Sequence, residues 1–385
     1  MIRSTVAHVD LNALRANFAA IQQYLAREPG RTPPAIIAVV KANAYGHGSA
    51  RVALALEQAG ATMLACADIE EGIVIRQAGV RVPILVFGAL SVSDLDGLFE
   101  FALTPTISTP GAARAVQAAA ARHKTAIAYH LKIDTGMNRL GFRHDNLRRT
   151  VPELLASANL RLDAVYTHFA SADVPESPVF NDQRERFESA WSVVTELVLK
   201  AESREPGAPV QRHACNSAAL LRDSRVWYDA VRPGLLLYGI VPPPLASTIP
   251  LAPVMSLTSR VVAVKGLRPG EGVGYGWRYQ ADAPRTVAVV PAGYADGLDT
   301  RLGGRGHVLI RGQRAPIVGA VSMDMITVDV TSLGDVQPGD EVVLLGRQGN
   351  ESWQQIDARE VAAAIGTIPW EVVCRLGTRI ERQYE

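Results

Sequence analysis

The stretch Ile36-Ile37-Ala38-Val39-Val40-Lys41 is apolar on both faces and stops on a cation. A strand without polar alternation must be covered on both sides, the pattern of a parallel sheet rather than of a solvent-facing hairpin. Seven more such runs follow, at residues 63–67, 84–87, 103–107, 126–133, 160–166, 210–214 and 230–232. Between them, residues 49–59, 69–78, 92–101, 110–121 and 180–200 carry apolar side chains at helical spacing. Eight apolar strands alternating with helices favour a closed (β/α)8 barrel over an open doubly wound sheet. Ahead of the first strand an amphipathic helix is expected, capped by Asp10, with Leu11, Leu14, Phe18 and Ile21 on one face.

The composition changes near residue 243. Up to there the chain has 41 Ala and 14 Gly, against 14 Ala and 18 Gly in the remaining 142 residues, so helix-rich structure should give way to turn-rich β structure. Segments beginning at Val254, Leu257, Val261 and Val264, then 286–290, 307–310, 326–330 and 341–345, alternate with Gly- and Pro-rich turns, and a helix is expected near 356–365. The expected organisation is a TIM-type barrel over 1–243 and a mainly-β domain over 244–385, a plan that suits a chain of 385 residues.

Charge and cysteine content exclude several classes. With 39 Lys+Arg against 38 Asp+Glu there is no surplus of cations to neutralise phosphates, so a nucleic-acid partner is not expected. Cys66, Cys215 and Cys374 are too few and too far apart for a disulfide framework or a zinc site. The N-terminal residues lack the apolar core of a signal peptide, and no run approaches the ~20 residues of a membrane span, so a cytoplasmic protein without membrane contact is expected.

In such a barrel the chemistry is built at the C-terminal ends of the strands. Lys41 ends the first run, Lys132 and Asp134 the fifth; His168 follows the sixth, Asn216 and Ser217 the seventh, and Arg232 with Gly234 ends the eighth. A lysine at an apolar mouth loses solvation, which lowers its pKa and frees a neutral amine for Schiff-base chemistry. Ser217, Gly234 and Tyr45 suit a phosphate: a hydroxyl at a helix start, a backbone open to close approach, and a phenol. An aldehyde combined with a phosphate describes pyridoxal 5′-phosphate, whose ring nitrogen Arg232 could face.

The segment Val39-Val40-Lys41-Ala42-Asn43-Ala44-Tyr45-Gly46-His47-Gly48 together with residues 131–142, Tyr166-Thr167-His168-Phe169-Ala170 and Arg232-Pro233-Gly234 resembles the alanine racemases, of fold-type III among pyridoxal-phosphate enzymes. So do Gly272-Val273-Gly274-Tyr275-Gly276, residues 292–297 and Ser322-Met323-Asp324 in the second part. The resemblance implies interconversion of L- and D-alanine by two bases, supplying D-alanine for bacterial peptidoglycan. It gives the D-alanine side to Lys41 and the other face to Tyr275, supported by His168 and, behind it, Arg232. Read without the resemblance, Tyr275 fits an ordinary aromatic of a β domain better than a base. By the same resemblance Arg139 anchors the substrate carboxylate with the Met323 N–H, and Lys132 is carbamylated to hold Arg139. Unmodified pairing with Asp134 is the alternative. Tyr275 and Met323 would reach the partner's site, so a head-to-tail homodimer is implied.

One position departs from the pattern. Trp370, in Ile368-Pro369-Trp370-Glu371, stands where the family usually has a tyrosine that contacts the cofactor phosphate and narrows the substrate's path, so the cofactor contact of Trp370 and the substrate range are the open parts of the resemblance. A broader-specificity small amino-acid racemase and a catabolic alanine racemase are the alternatives. A barrel-only cofactor-homeostasis protein lacks the second domain, and a two-domain decarboxylase should carry Cys and Asp where Tyr275 stands.

Overall fold

All eight apolar runs form parallel strands: Ala35–Val39, Met63–Cys66, Ile84–Val86, Thr104–Ile107, Ile127–Asp134, Leu160–Tyr166, Gln211–Asn216 and Ala230–Arg232. The computed structural model describes residues 4–28, 30–90, 94–201, 209–349 and 353–385. Each barrel strand pairs with its sequence neighbours, and Ala230 pairs with Ala35 to close the ring. The helices Ser49–Gln58, Ile69–Gln77, Pro110–Arg122 and Val179–Lys200 lie between strands as expected. The helix expected over 92–101 is the shorter Asp96–Glu100, and residues 91–93 lie outside the described residues. Leu147–Leu155, a further helix, was hidden by the internal Pro152. Asp10 caps Leu11–Leu25 by accepting from the N–H groups of Asn12 and Ala13, both at 2.8 Å, and Leu14, Phe18 and Ile21 are fully buried.

The barrel interior is divided. Ile37, Val39, Ala65, Leu85 and Ala230 form one small apolar cluster. Polar side chains also meet inside the ring. His213 on the seventh strand bonds His130 on the fifth (3.0 Å), and Tyr166 on the sixth bonds Thr106 on the fourth (3.0 Å). Each pair skips the strand between, so both contacts run through the inside of the ring.

The second domain is built on a ten-stranded sheet that includes Met255–Arg260, Arg285–Val290, His307–Ile310, Gln313–Val318, Ile326–Asp329 and Glu341–Gln348. The expected helix is Ala358–Ile365. It is followed by a short helix, Pro369–Cys374, that the sequence pattern did not suggest. Val6–Val9 also joins this sheet, antiparallel to Met255–Arg260 and parallel to the last strand, Glu381–Tyr384. Segments on both sides of the barrel in sequence are therefore stitched into the β domain. Among the described residues no helix is long and apolar enough to cross a membrane.

Candidate active site

Lys41 follows the first barrel strand and opens a turn of unusual backbone. Ala42, Asn43, Ala44 and Tyr45 all have φ between +51° and +54°, and none is glycine. Left-handed backbone costs an L-residue roughly 1–2 kcal/mol each, so four in a row persist only where surrounding contacts dictate them. Several do. Gly46 N–H donates to Ala42 O and Gly48 N–H to Asn43 O, both at 2.9 Å, and Ser49 N–H donates to Asn43 Oδ1 at 2.8 Å. Glu71 accepts from the Ala42 N–H at 2.7 Å. The second domain presses on the same turn. Arg382 Nε donates to Gly46 O at 2.6 Å, and any Cβ on Gly46 would collide with the Val373 carbonyl.

Among the described residues the Lys41 amine has no hydrogen bond or ion pair. Burial holds its pKa below the ordinary lysine value, with Arg139 and then Arg232 acting in the same direction and Cys374 and Glu71 against it. Lys132, buried over the Tyr166 ring, is pushed down to about 8 by burial and by Arg139 and Arg232. Asp134 folds the next loop back on itself by accepting from the N–H groups of Gly136 (2.9 Å) and Asn138 (3.1 Å), and the exposed Arg139 that follows is near enough for its charge to act on both lysines.

Arg232 organises the interior. Nη1 donates to His213 Nδ1 at 2.7 Å; Nη2 donates to the carbonyls of Thr167 (2.8 Å) and Ala214 (3.0 Å) and, more weakly, to His168 Nδ1 (3.4 Å). A guanidinium can only donate, so each histidine accepts at Nδ1 and, when neutral, carries its proton on Nε2. For His213 that proton goes to His130 Nδ1. Burial first and the Arg232 charge second hold His168 and His213 well below the usual imidazole value and bring His130 down to about 3, so all three are neutral near pH 7. Arg232 Nε has no partner among the described residues.

The third element is a cradle. Ser217 Oγ, at the start of the short helix Ser217–Arg222, accepts from the N–H groups of Gly234 (3.0 Å) and Leu236 (3.4 Å). Tyr45 stands against Gly234 so closely that an added Cβ would lie 2.6 Å from its hydroxyl. Asn216 is occupied otherwise, its Oδ1 capping the helix through the Ala219 N–H at 2.9 Å. A half-buried amine and a guanidinium N–H, both without partners among the described residues, and a glycine-bordered hydroxyl cradle fit pyridoxal 5′-phosphate.

The structure thus brings Lys41, Lys132, Arg139, His168 and Arg232 to one electrostatic neighbourhood and groups Tyr45, Ser217 and Gly234 beside it. Trp370 is half-buried on the helix that docks against the Lys41 turn. Tyr275 and Met323 lie apart on the surface of the second domain, 77% and 51% exposed. Residues the sequence reading passed over are His130, His213, Tyr166 and Glu71. The first three sit inside apolar runs, where a single polar residue carries no periodic signal.

A closed parallel (β/α)8 barrel followed by a mainly-β domain, with a polar cluster gathered at the strand ends, defines a class of two-domain barrel enzymes. Residues 9–242 match the alanine racemase N-terminal domain family and residues 254–384 the C-terminal domain family. An alanine racemase of Carboxydothermus hydrogenoformans is 41% identical, with all of both chains covered. A crystal structure of alanine racemase from D-cycloserine-producing Streptomyces lavendulae superposes with a TM-score of 0.91 at 32% identity, covering all of this chain and 98% of that one. The alanine racemase of Bacillus anthracis with bound L-Ala-P gives 0.88 at 33% identity, covering all of this chain and 96% of that one. This chain belongs to the alanine racemase family and is an amino-acid racemase.

Proposed function

We propose that the chain interconverts L- and D-alanine using pyridoxal 5′-phosphate, with Lys41 and the partner subunit's Tyr275 as the two bases, and that in the cytoplasm it supplies D-alanine for peptidoglycan. The observation that carries the reading is the half-buried Lys41 amine, unpaired among the described residues and close enough to Arg139 and Arg232 to feel both charges. Bound, the cofactor would supply an aldehyde for condensation with amines and an electron sink that acidifies the substrate α-proton. Lys41, Ser217, Gly234, Tyr45 and Arg232 would hold it, with Asn216 and Trp370 at its edge.

Each residue's part follows from its surroundings. Lys41, its pKa lowered by burial, is available as a neutral base on one face. Arg232 can donate from Nε to a ring nitrogen but does not surrender its proton, so beside the bound cofactor it would weaken the electron sink and favour return of the α-proton over transamination. His168, accepting from Arg232 at Nδ1, carries its proton on Nε2 and can donate it to a phenol oxygen. Tyr275 supplies that phenol from a second chain. Its patch, with Trp277, Tyr294, Met323 and Met325 all about half or more exposed, suits a head-to-tail homodimer contact. The Met323 N–H, without a partner among the described residues, suits the substrate carboxylate alongside Arg139. Lys132, partly neutral near pH 8 and ringed by cations, suits carbamylation, which would turn one of those charges into an anion.

The test is α-deuterium exchange from L- and D-alanine in D2O. The wild-type protein should exchange both enantiomers, and Tyr275→Phe should lose exchange chiefly from L-alanine. Absence of exchange from either enantiomer refutes the reading.

A further inference from the structure

Glu71 lies in the first turn of Ile69–Gln77, three residues after Asp68, which caps that helix by accepting from the Glu71 N–H at 2.8 Å. At this spacing a glutamate ordinarily turns back onto the N–H of the cap residue itself. Here it does not. Oε2 accepts from the Ala67 N–H at 2.8 Å and Oε1 from the Ala42 N–H at 2.7 Å. Ala42 follows the first barrel strand and Ala67 the second, so one carboxylate ties two strand ends together at the rim.

The Ala42 N–H belongs to the peptide unit joining Lys41 to the left-handed turn. Fixing that unit fixes the direction in which the Lys41 side chain leaves the backbone. The other bonds of the turn hold its later atoms: Gly46 N–H to Ala42 O, His47 N–H to Ala44 O and Gly48 N–H to Asn43 O. Ala42 and Asn43 are exposed, so packing does not hold them. We propose that Glu71 is a positioning residue, its carboxylate clamping the Lys41–Ala42 peptide so that the amine is held where the cofactor binds. The proposal rests on the reading of Lys41 as the cofactor lysine.

The experiment uses Glu71→Gln, which keeps the length but has one accepting oxygen for two N–H groups, with the exposed Glu70→Gln as control. In the cofactor-free protein, amide exchange at Ala42 should quicken roughly tenfold or more in Glu71→Gln, the loss expected for a charge-assisted hydrogen bond, while His47 and Gly48 change less. Uptake of pyridoxal 5′-phosphate, measured against Lys41→Ala as baseline, should weaken by a similar factor, and kcat should fall with KM little changed. Glu71→Asp, one methylene too short to reach both amides, should fall between and carries the test if the Gln variant does not fold. A Glu71→Gln protein with a lower urea midpoint but wild-type Ala42 exchange and cofactor uptake has lost only a helix cap, and the proposal fails. If Lys41→Ala takes up the cofactor as the wild type does, the functional reading fails instead, and the exchange at Ala42 still decides the clamp.

Discussion

Replacing Gly234 by alanine tests whether the cradle and the lysine turn are one mechanical unit. The new Cβ would sit 2.6 Å from the Tyr45 hydroxyl, 3.1 Å from Cζ and 3.3 Å from Cε2. The hydroxyl would have to retreat by roughly 0.9 Å to reach ordinary contact. Tyr45 has little freedom to yield. Its ring lies against Tyr238 at 5.0 Å, the Tyr238 hydroxyl is held by Val39 O at 3.0 Å, and its own backbone closes the left-handed turn. The displacement therefore passes to Lys41. Overpacking of this kind costs about 1–3 kcal/mol. Urea unfolding of the cofactor-free protein should show that loss, and titration with pyridoxal 5′-phosphate should show affinity reduced by about tenfold for every 1.4 kcal/mol the complex feels. In the double variant Gly234→Ala/Tyr45→Phe the 2.6 Å contact is gone and the nearest atom is Cζ, so much of the loss should return, a coupling of about 1 kcal/mol or more. Additivity within about 0.5 kcal/mol, or a Gly234→Ala protein as stable and as avid as the wild type, refutes the reasoning.

Three further outcomes follow. If Lys41 and Tyr275 act in one site from two chains, co-expressed Lys41→Ala and Tyr275→Phe chains should recover about one quarter of wild-type activity, since half of randomly paired dimers carry one intact site of two; no recovery places both residues in the same chain. His47, buried, donates from Nδ1 to the carbonyls of Ala44 and Tyr45 and has its pKa lowered by burial to about 4. The unfolded chain takes this proton near pH 6.5 and the folded one does not, so stability is lost as pH falls below that value, by about 2 kcal/mol at pH 5; His47→Asn should remove that share from urea curves at pH 7 and pH 5, and an unchanged difference between them contradicts it. Trp370→Ala should raise kcat/KM for amino acids with longer side chains relative to alanine by roughly tenfold, the scale of one or two methylenes in a pocket; an unaltered ratio shows that Trp370 does not limit the substrate.

The barrel was legible because burial on both faces is written continuously along each strand, and the rim lysine and arginine because a charge that ends an apolar run stands out. The network behind them was not. His130, His213, Tyr166 and Thr106 bond across the barrel to strands that are neither sequence nor sheet neighbours, and no local pattern encodes that relation. Glu71 was masked differently: its spacing from Asp68 is fully explained by a helix start, and only the fold brings Ala42 within its reach. Val6–Val9 is four residues long, with partners some 250 positions away.

The Lys41 turn joins these cases. Of Ala42, Asn43, Ala44 and Tyr45 only Asn43 tolerates left-handed backbone readily, so local preference argues against the conformation the chain adopts. What enforces it arrives from Glu71, from the Pro369–Cys374 helix at Val373 and from Arg382 on the last strand, which is itself held beside Val6–Val9. The change of composition near residue 243 therefore separates two kinds of architecture without separating two functions. A barrel cut free of the β domain would keep Lys41 in its sequence and lose two of the contacts that set its backbone.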